Sequence, residues 1–524
     1  MSDRAARSRE TGLIRAAATV GGFTMLSRLT GFARDILIAA FLGAGPIGDA
    51  FFVAFKLPNF FRRLFAEGAF NAAFVPLFSG RLETEGREAA RRFAEDTLSV
   101  LLTVLFLFVS AMQIAMPVVM YALAPGFSDD PETFDLAVEL TRITFPYLIF
   151  ISLVSLLAGM LNSDGRFAAA AATPILLNIC LIGALLGLTG LVPTAGHALA
   201  IGVFAAGVLQ FVWLMAALGR AGLVPSLPRP RLTPGVKRVM KIMAPAALGA
   251  GVVQVNLVID IVLASTLPEG SISFLFYADR INQLPIGVVG VAVGTALLPL
   301  LSRQAAAGDD GAARHSLNRA VELGLILSFP AAAACLAMPD VLIGALFERG
   351  AFTAEDTAAT AWALSAYAAG LPAYVMVKVL APGFFARQDT KTPVIIASVA
   401  VVVNVVLNLI LMGPMLHAGL ALATAISAWL NTALLAIWLH RRGWMKTDRR
   451  LALAIPKALL ASVVMAAALV FGAIVLDQRL PGGELWRASG LAMLVLGGIA
   501  VYGLLAWITR LANPADLKGL VRGR

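Results

Sequence analysis

With 524 residues, 59% of them hydrophobic and only 14% charged, the chain departs far from the roughly 25% charged residues usual in soluble domains and reads as an integral membrane protein. Its 41 basic against 31 acidic residues give a net charge of +10, but most of the basic residues lie in short loops and not on one soluble face, which argues against nucleic acid as a partner. Two cysteines, Cys180 and Cys335, each lie inside an apolar run and read as buried filler, not as a disulfide.

Arg4, Arg7, Arg9 and Arg15 precede the first apolar run, a pattern that superficially resembles a signal peptide. Arg28 and Arg34 follow without a convincing small-residue cleavage site, so a retained first helix is expected. A membrane span needs about 20 mostly apolar residues. On that measure fourteen segments follow in order, beginning near residues 13, 48, 96, 136, 168, 194, 240, 271, 316, 357, 393, 417, 452 and 487. The expected fold is all-α, a polytopic membrane protein of about 14 transmembrane helices. Lysine and arginine should gather on alternate, cytoplasmic turns. They do so at Arg4–Arg15, Arg81–Arg92, Arg166, Arg229–Arg238, Arg303–Arg314, Arg387–Lys391, Arg441–Arg450 and Lys518–Arg524. The intervening turns are neutral or acidic, the one with Arg479 and Arg487 being the weakest member. Both termini are therefore expected to be cytoplasmic.

The chain repeats itself at about 220 residues. Pro76-Leu-Phe-Ser79 recurs as Pro299-Leu-Leu-Ser302, Phe145-Pro146 as Leu371-Pro372 and Thr173-Pro174 as Thr392-Pro393, at offsets of 223, 226 and 219. Two six-helix lobes are expected, residues 10–225 and 237–445, with two appended helices within 450–510. Six being even, the repeats run parallel, and substrate is expected between them near the midplane. The appended helices carry almost nothing ionisable beyond Lys457 and Arg487 near their ends, so they should face lipid or an acyl chain.

Ionisable residues nevertheless crowd the first two spans: Arg28, Arg34, Asp35, Asp49, Lys56, Arg62, Arg63 and Glu67. Each would cost about 2.5–3.5 kcal/mol at the bilayer centre on insertion scales, so they must face protein or water. Asp49, Lys56 and Arg63 recur every seven residues, returning to nearly the same helical face, as do Arg28 and Asp35 with Gly31 between them. Pro58 lies within the second span and is expected to kink it. The second lobe offers Tyr277-Ala278-Asp279-Arg280 at the matching place. Arginine stays charged at low dielectric and donates paired hydrogen bonds to phosphate or carboxylate, so the expected ligand is anionic and phosphate-bearing. The competing reading makes Arg28 with Asp35, Asp49 with Lys56, and Arg280 with Asp279 internal ion pairs, although buried pairs barely recover their desolvation cost. For Arg62 and Arg63, nearest the cytoplasmic loop, snorkelling to headgroups competes.

The stretch Ser27-Arg28-Leu-Thr-Gly31-Phe-Ala-Arg34-Asp35, the block from Asp49 through Lys56, Pro58, Asn59, Arg62, Arg63 and Glu67 to Phe70, and Tyr277-Ala-Asp279-Arg280 strongly resemble the lipid II flippase family of peptidoglycan synthesis (MurJ or MviN), within the multidrug/oligosaccharidyl-lipid/polysaccharide exporter superfamily. The resemblance covers essentially the whole chain. It implies a multi-pass protein of the bacterial inner membrane that moves undecaprenyl-diphosphate-linked disaccharide-pentapeptide from the cytoplasmic to the periplasmic leaflet by alternating access. It further implies that Arg28, Arg34, Arg62, Arg280 and Asp49 line a central cavity, and that the last two helices form a groove for the lipid tail.

Asn256 and Asp260, Asn404 and Asn408, and Thr424 could supply oxygen ligands to Na⁺ from three helices, as in some members of that family. An amide stands at Asn408 where those members have a carboxylate, and interhelical hydrogen bonding is the competing account. No G-x-x-x-x-G-K phosphate loop is present, and His197, His315, His417 and His440 are scattered near span ends, so neither a catalytic arrangement nor a bound cofactor is expected. Transport should draw on the membrane potential or an ion gradient. The chain is expected to be monomeric, in contact with membrane lipid and with cell-wall synthesis enzymes. Two other functions remain open on these residues: a secondary exporter of another lipid-linked oligosaccharide or of drugs in the same superfamily, a drug exporter being expected to have an acidic or aromatic cavity, and a scaffold for cell-wall enzymes that transports nothing.

Overall fold

Apolar runs bounded by proline, glycine and charge form the helices. Pro46, Pro131, Pro234 and Pro339 open helices at the first turn, where a missing N–H costs nothing. Thr353 and Asp356 make a capping box, and Gly222 and Gly443 close helices with φ of 67° and 69°. The structure, a computed structural model, describes residues 2–63, 69–479 and 483–511. These are helical with short connections, and no strand occurs among them.

The chain divides into two compact units, Met1–Ile272 and Ser273–Arg524. In the first run α1 (Ser2–Leu42), α2 (Pro46–Arg62), α3 (Ala69–Thr84), α4 (Arg87–Leu123), a 3-10 turn (Pro125–Asp129), α5 (Pro131–Thr144), α6 (Tyr147–Ser163), α7 (Phe167–Leu188), α8 (Ala195–Ala221) and α9 (Pro234–Ser265). After α10 (Ser271–Ala306), which starts at the junction, come α11 (Asp310–Ala337), α12 (Pro339–Phe347), α13 (Ala354–Phe385), α14 (Lys391–Arg441), α15 (Arg449–Arg479) and α16 (Glu484–Ile508). The sequence begins its second lobe at 237, whereas α9 packs on α3 and α4 within the first unit. Close approach accounts for that attachment. Gly235 sits against Arg81 and Phe93, and a β-carbon on Gly126 would overlap the backbone of Ser265 and Thr266 at the end of α9.

Each of the fourteen expected spans falls on a helix or on a pair of helices. α14 holds two of them, its arms meeting at Leu416, where φ is 47° and ψ −133°. Gly419 makes that corner possible, since a β-carbon there would overlap the Leu411 carbonyl. Among the described residues nine helical segments are long and apolar enough to cross a membrane. α1 and α2 are not among them. These are the helices that carry the ionisable cluster, so they depend on protein or water around them.

The two units share internal fastenings at a constant offset. Arg87 at the start of α4 bonds Asp164 after α6 at 2.5 Å, and Asp310 at the start of α11 bonds Arg387 after α13 at 2.7 Å. Both members are shifted by 223 residues, with the signs exchanged. Gly165 and Gln388, again 223 apart, both adopt left-handed φ, 77° and 59°. Glu95 accepts the Ser226 backbone N–H at 2.8 Å, and Asn318, 223 residues on, donates to the Lys446 carbonyl at 2.8 Å. The same loops are thus pinned to the same helices by bonds of opposite polarity. Reversing Arg87 or Asp164 alone is expected to cost about 1 kcal/mol, and reversing both to restore most of it, in a double-mutant cycle read by thermal unfolding.

Helices α15 and α16 pack together and onto α11 and α12 through Met338, Met465, Leu469 and Leu494. Their outer faces leave Leu460, Phe471, Leu496 and Ile499 more than half exposed, as expected of lipid-facing helices. At one end Arg487 pairs with Glu348 at 2.8 Å. That carboxylate neutralises a basic residue that stood on the wrong side of the loop pattern.

Candidate functional site

α1 presents its charges in two ways. Arg34 and Asp35 are buried, 7% and 3% exposed. The guanidinium donates from Nη2 to Asp35 Oδ1 at 2.6 Å, from Nε to the same oxygen at 3.0 Å, and from Nη1 to Asn178 Oδ1 at 2.8 Å. Asn178 Nδ2 returns to α1, donating to the Ser27 carbonyl and to Thr30 Oγ1, each at 3.0 Å. Gly31 gives the amide room, a β-carbon there lying 3.4 Å from Asn178 Nδ2. Helical spacing had set Asp35 with Arg28; instead its neighbour Arg34 folds back onto it. Arg28 stands exposed on α1. A guanidinium exposed on a spanning helix requires water or an anion beside it.

The first turn of α2 carries Asp49, 4% exposed, whose Oδ2 accepts the Gly270 backbone N–H at 2.8 Å. Its place in the first turn also suits the helix dipole. The helix runs through Pro58 to Arg62. Pro58 has no N–H to give the Ala54 carbonyl, and the Thr144 hydroxyl of α5 donates to that oxygen at 2.9 Å instead. Lys56 is half-buried one turn before Asn59, which receives Arg62 Nε at 3.1 Å and donates to the Phe55 carbonyl at 2.7 Å. Arg63 is exposed. Glu67 lies outside the described residues.

In the second unit Tyr277 is fully buried between Phe347 and Phe352, with ring centroids 5.2 and 5.3 Å away. This anchors the turn of α10 that carries Asp279 and Arg280. The Arg280 guanidinium lies over the Phe276 ring, 4.6 Å from its centroid. Stacking on the ring holds the planar fork in one orientation. Asp279 accepts from Gln283 Nε2 one turn on.

The candidate sodium ligands lie on α9 in the first unit and on α14 in the second. Asn256 donates to Asp260 Oδ2 at 3.2 Å on α9. On α14, Asn408 donates to Asn404 Oδ1 at 3.2 Å, Asn404 to Thr424 Oγ1 at 3.3 Å, and Thr424 to the Leu420 carbonyl at 3.0 Å. In the second group neutral oxygens and amides bond in a chain that joins the two arms of α14, as interhelical bonds do in lipid. Cys180 and Cys335 are free thiols.

Asn178, Thr144 and Gly270 are the site's supports that residue chemistry alone passed over. Asn178 alone had a legible signal, an amide in the middle of the otherwise apolar helix α7.

A sequence model of the family described as lipid II flippase MurJ matches residues 38–487. A probable lipid II flippase MurJ of Rhizobium meliloti (strain 1021) is 46% identical over 503 residues, 94% of each chain. The lipid II flippase MurJ of Burkholderia cenocepacia is 40% identical over 436 residues, 82% of this chain and 84% of its own. Among solved structures, a lipid II flippase MurJ in an inward closed conformation superposes with a TM-score of 0.76 at 27% identity, covering 93% of this chain and 98% of that one. An inward-facing multidrug resistance MATE transporter of the MOP superfamily shares the fold, with a TM-score of 0.65 at 16% identity over 81% of this chain and 98% of its own.

Proposed function

The chain belongs to the lipid II flippase MurJ family, and from that premise we propose that it carries an undecaprenyl-diphosphate-linked peptidoglycan precursor from the cytoplasmic to the periplasmic leaflet of a bacterial inner membrane. The observation that carries this reading is the cationic equipment of α1, α2 and α10 in a chain whose other helices include, among the described residues, nine segments apolar enough to cross a membrane. Arg28 is exposed on α1, and Arg280 is held flat against Phe276 on α10. An anionic diphosphate matches such donors, and a cationic drug does not. Lys56, Arg62 and Arg63 extend the same positive character along α2, while Asp49 and Asp35 serve to position. Both termini belong on the cytoplasmic side, where the basic loops gather.

Transfer proceeds by alternating access, without chemistry on the substrate. The membrane potential supplies the drive, roughly 2.3 kcal/mol per charge per 100 mV, in the direction that expels an anion. The test is leaflet transfer of a fluorescent lipid diphosphate saccharide in proteoliposomes. Arg28→Gln and Arg280→Gln are each expected to slow transfer by about tenfold to a hundredfold, the equivalent of one charged hydrogen bond, with unfolding temperature unchanged. Full transfer by the double variant would make these arginines structural, and transfer unaffected by collapse of the potential would remove the proposed drive.

A further inference from the structure

At the end of α15 and α16 opposite the Arg487–Glu348 pair lies a cavity of about 1040 Å³, bounded also by α11. The seam beneath it is packed. Ile326, Ala454, Ala458, Ala506 and Leu511 form one buried cluster, and the Tyr502 hydroxyl donates to the Ile326 carbonyl at 2.7 Å. The floor is therefore preformed.

Its charges divide into a balanced set and a surplus. Glu322, the carboxylate in the lining, is nearly buried and is held from both sides, by Arg450 Nε at 3.0 Å and by Arg319, which also holds Asp448. Two carboxylates meet two guanidiniums and the network closes on itself. Arg449, Lys457 and Arg510 also line the cavity, and among the described lining residues no carboxylate is left to balance them. Lys457 is placed by one bond, from Nζ to the Thr509 carbonyl at 3.0 Å, which leaves two of its three donors for another acceptor. Arg449 and Arg510 are exposed. The rim is apolar: Leu453, Ile508 and Trp507 are 49, 60 and 71% exposed. A tryptophan at a helix end marks the headgroup level of a bilayer.

Three surplus cations inside an apolar rim, on the lipid-facing helices, ask for a phosphate that arrives attached to acyl chains. We propose that this cavity binds the headgroup of an anionic bilayer phospholipid, separately from the cationic residues of α1, α2 and α10, and so fixes α15 and α16 at the level of that leaflet. The proposal does not rest on the flippase reading.

The experiment uses the full-length chain in neutral detergent and counts bound lipid by native mass spectrometry. Four probes are titrated: dioctanoyl phosphatidylglycerol, dioctanoyl phosphatidylcholine, inorganic phosphate and undecaprenyl diphosphate. Phosphatidylglycerol is expected to bind more tightly than phosphatidylcholine or inorganic phosphate. In the variant Arg449→Gln, Lys457→Gln, Arg510→Gln its affinity should fall about a hundredfold, each cation near a headgroup contributing roughly fivefold. The charge-conserving variant Arg449→Lys, Lys457→Arg, Arg510→Lys should bind like the parent chain, which separates lost charge from lost fold. Unchanged phosphatidylglycerol binding in the glutamine variant overturns the proposal. So does equal binding of phosphatidylcholine or inorganic phosphate, or the same loss in the charge-conserving variant. A hundredfold loss confined to undecaprenyl diphosphate would assign the cavity to the transported lipid and overturn it as well.

Discussion

Arg34→Leu alone is expected to destabilise the protein by about 3–5 kcal/mol, and the pair Arg34→Leu, Asp35→Leu to recover most of that loss. The reason is the dryness of the site. Arg34 and Asp35 are almost wholly out of solvent and make three short bonds with Asn178 as the third member. Removing the cation takes two charged hydrogen bonds from a buried carboxylate, whereas removing both leaves an apolar contact and an amide that keeps its bonds to Ser27 and Thr30. Thermal unfolding in one detergent reads the energies. Transport then separates two roles for Arg34 that stability cannot. If the guanidinium only braces α1 against α7, the double variant transfers lipid at the parental rate; if it also meets substrate, the double variant is folded and inactive. A double variant no more stable than Arg34→Leu would mean that the loss does not come from the buried carboxylate.

Gly126→Ala should be comparably damaging, by about 3 kcal/mol or more, because the added carbon meets backbone and not a movable side chain. The atoms in its way are the Ser265 carbonyl and Thr266 at the end of α9. A backbone clash of this kind is relieved only by moving the whole turn, the costly form of overpacking. That movement would also drag on Gly270, four residues beyond Thr266, whose N–H is held by Asp49. The expected readout is a lower unfolding temperature together with easier proteolysis after Ser265. Gly219→Ala serves as the control, since a β-carbon there finds only ordinary contact with Val224. Equal stability of the two variants would refute the account of how α9 is attached.

Much of this architecture was legible because lipid imposes simple requirements. Apolar length predicts helices, and charges inside apolar stretches announce protected surroundings. Arg28, Arg62, Asp49 and Arg280 could be chosen as residues of interest on those grounds. Their partners could not. Asp35 bonds Arg34 and not Arg28 because arginine reaches across a third of a turn, a freedom that helical periodicity ignores. Asp49 bonds a backbone N–H 221 residues away, and backbone groups carry no sequence signature. The attachment of α9 to the first unit involves close approaches at Gly126 and Gly235, which composition cannot disclose. The cavity at α15 and α16 escaped for a different reason. Arg449, Lys457 and Arg510 lie at the ends of two apolar helices, and in the loop pattern such residues read as topology and no more.

The exchanged signs of the fastenings at Arg87–Asp164 and Asp310–Arg387 bear on how such a chain assembles. Repeated helices leave the ribosome one after another and enter the bilayer with similar lengths and similar apolar faces. Nothing in their hydrophobicity tells α4 to stay with α6 and not to wait for α13. The charges do, because Arg87 against Arg387, or Asp310 against Asp164, would put like charges together at the membrane surface, where they repel. A duplicated sequence keeping one polarity in both halves would accept either partner. This one penalises the wrong one.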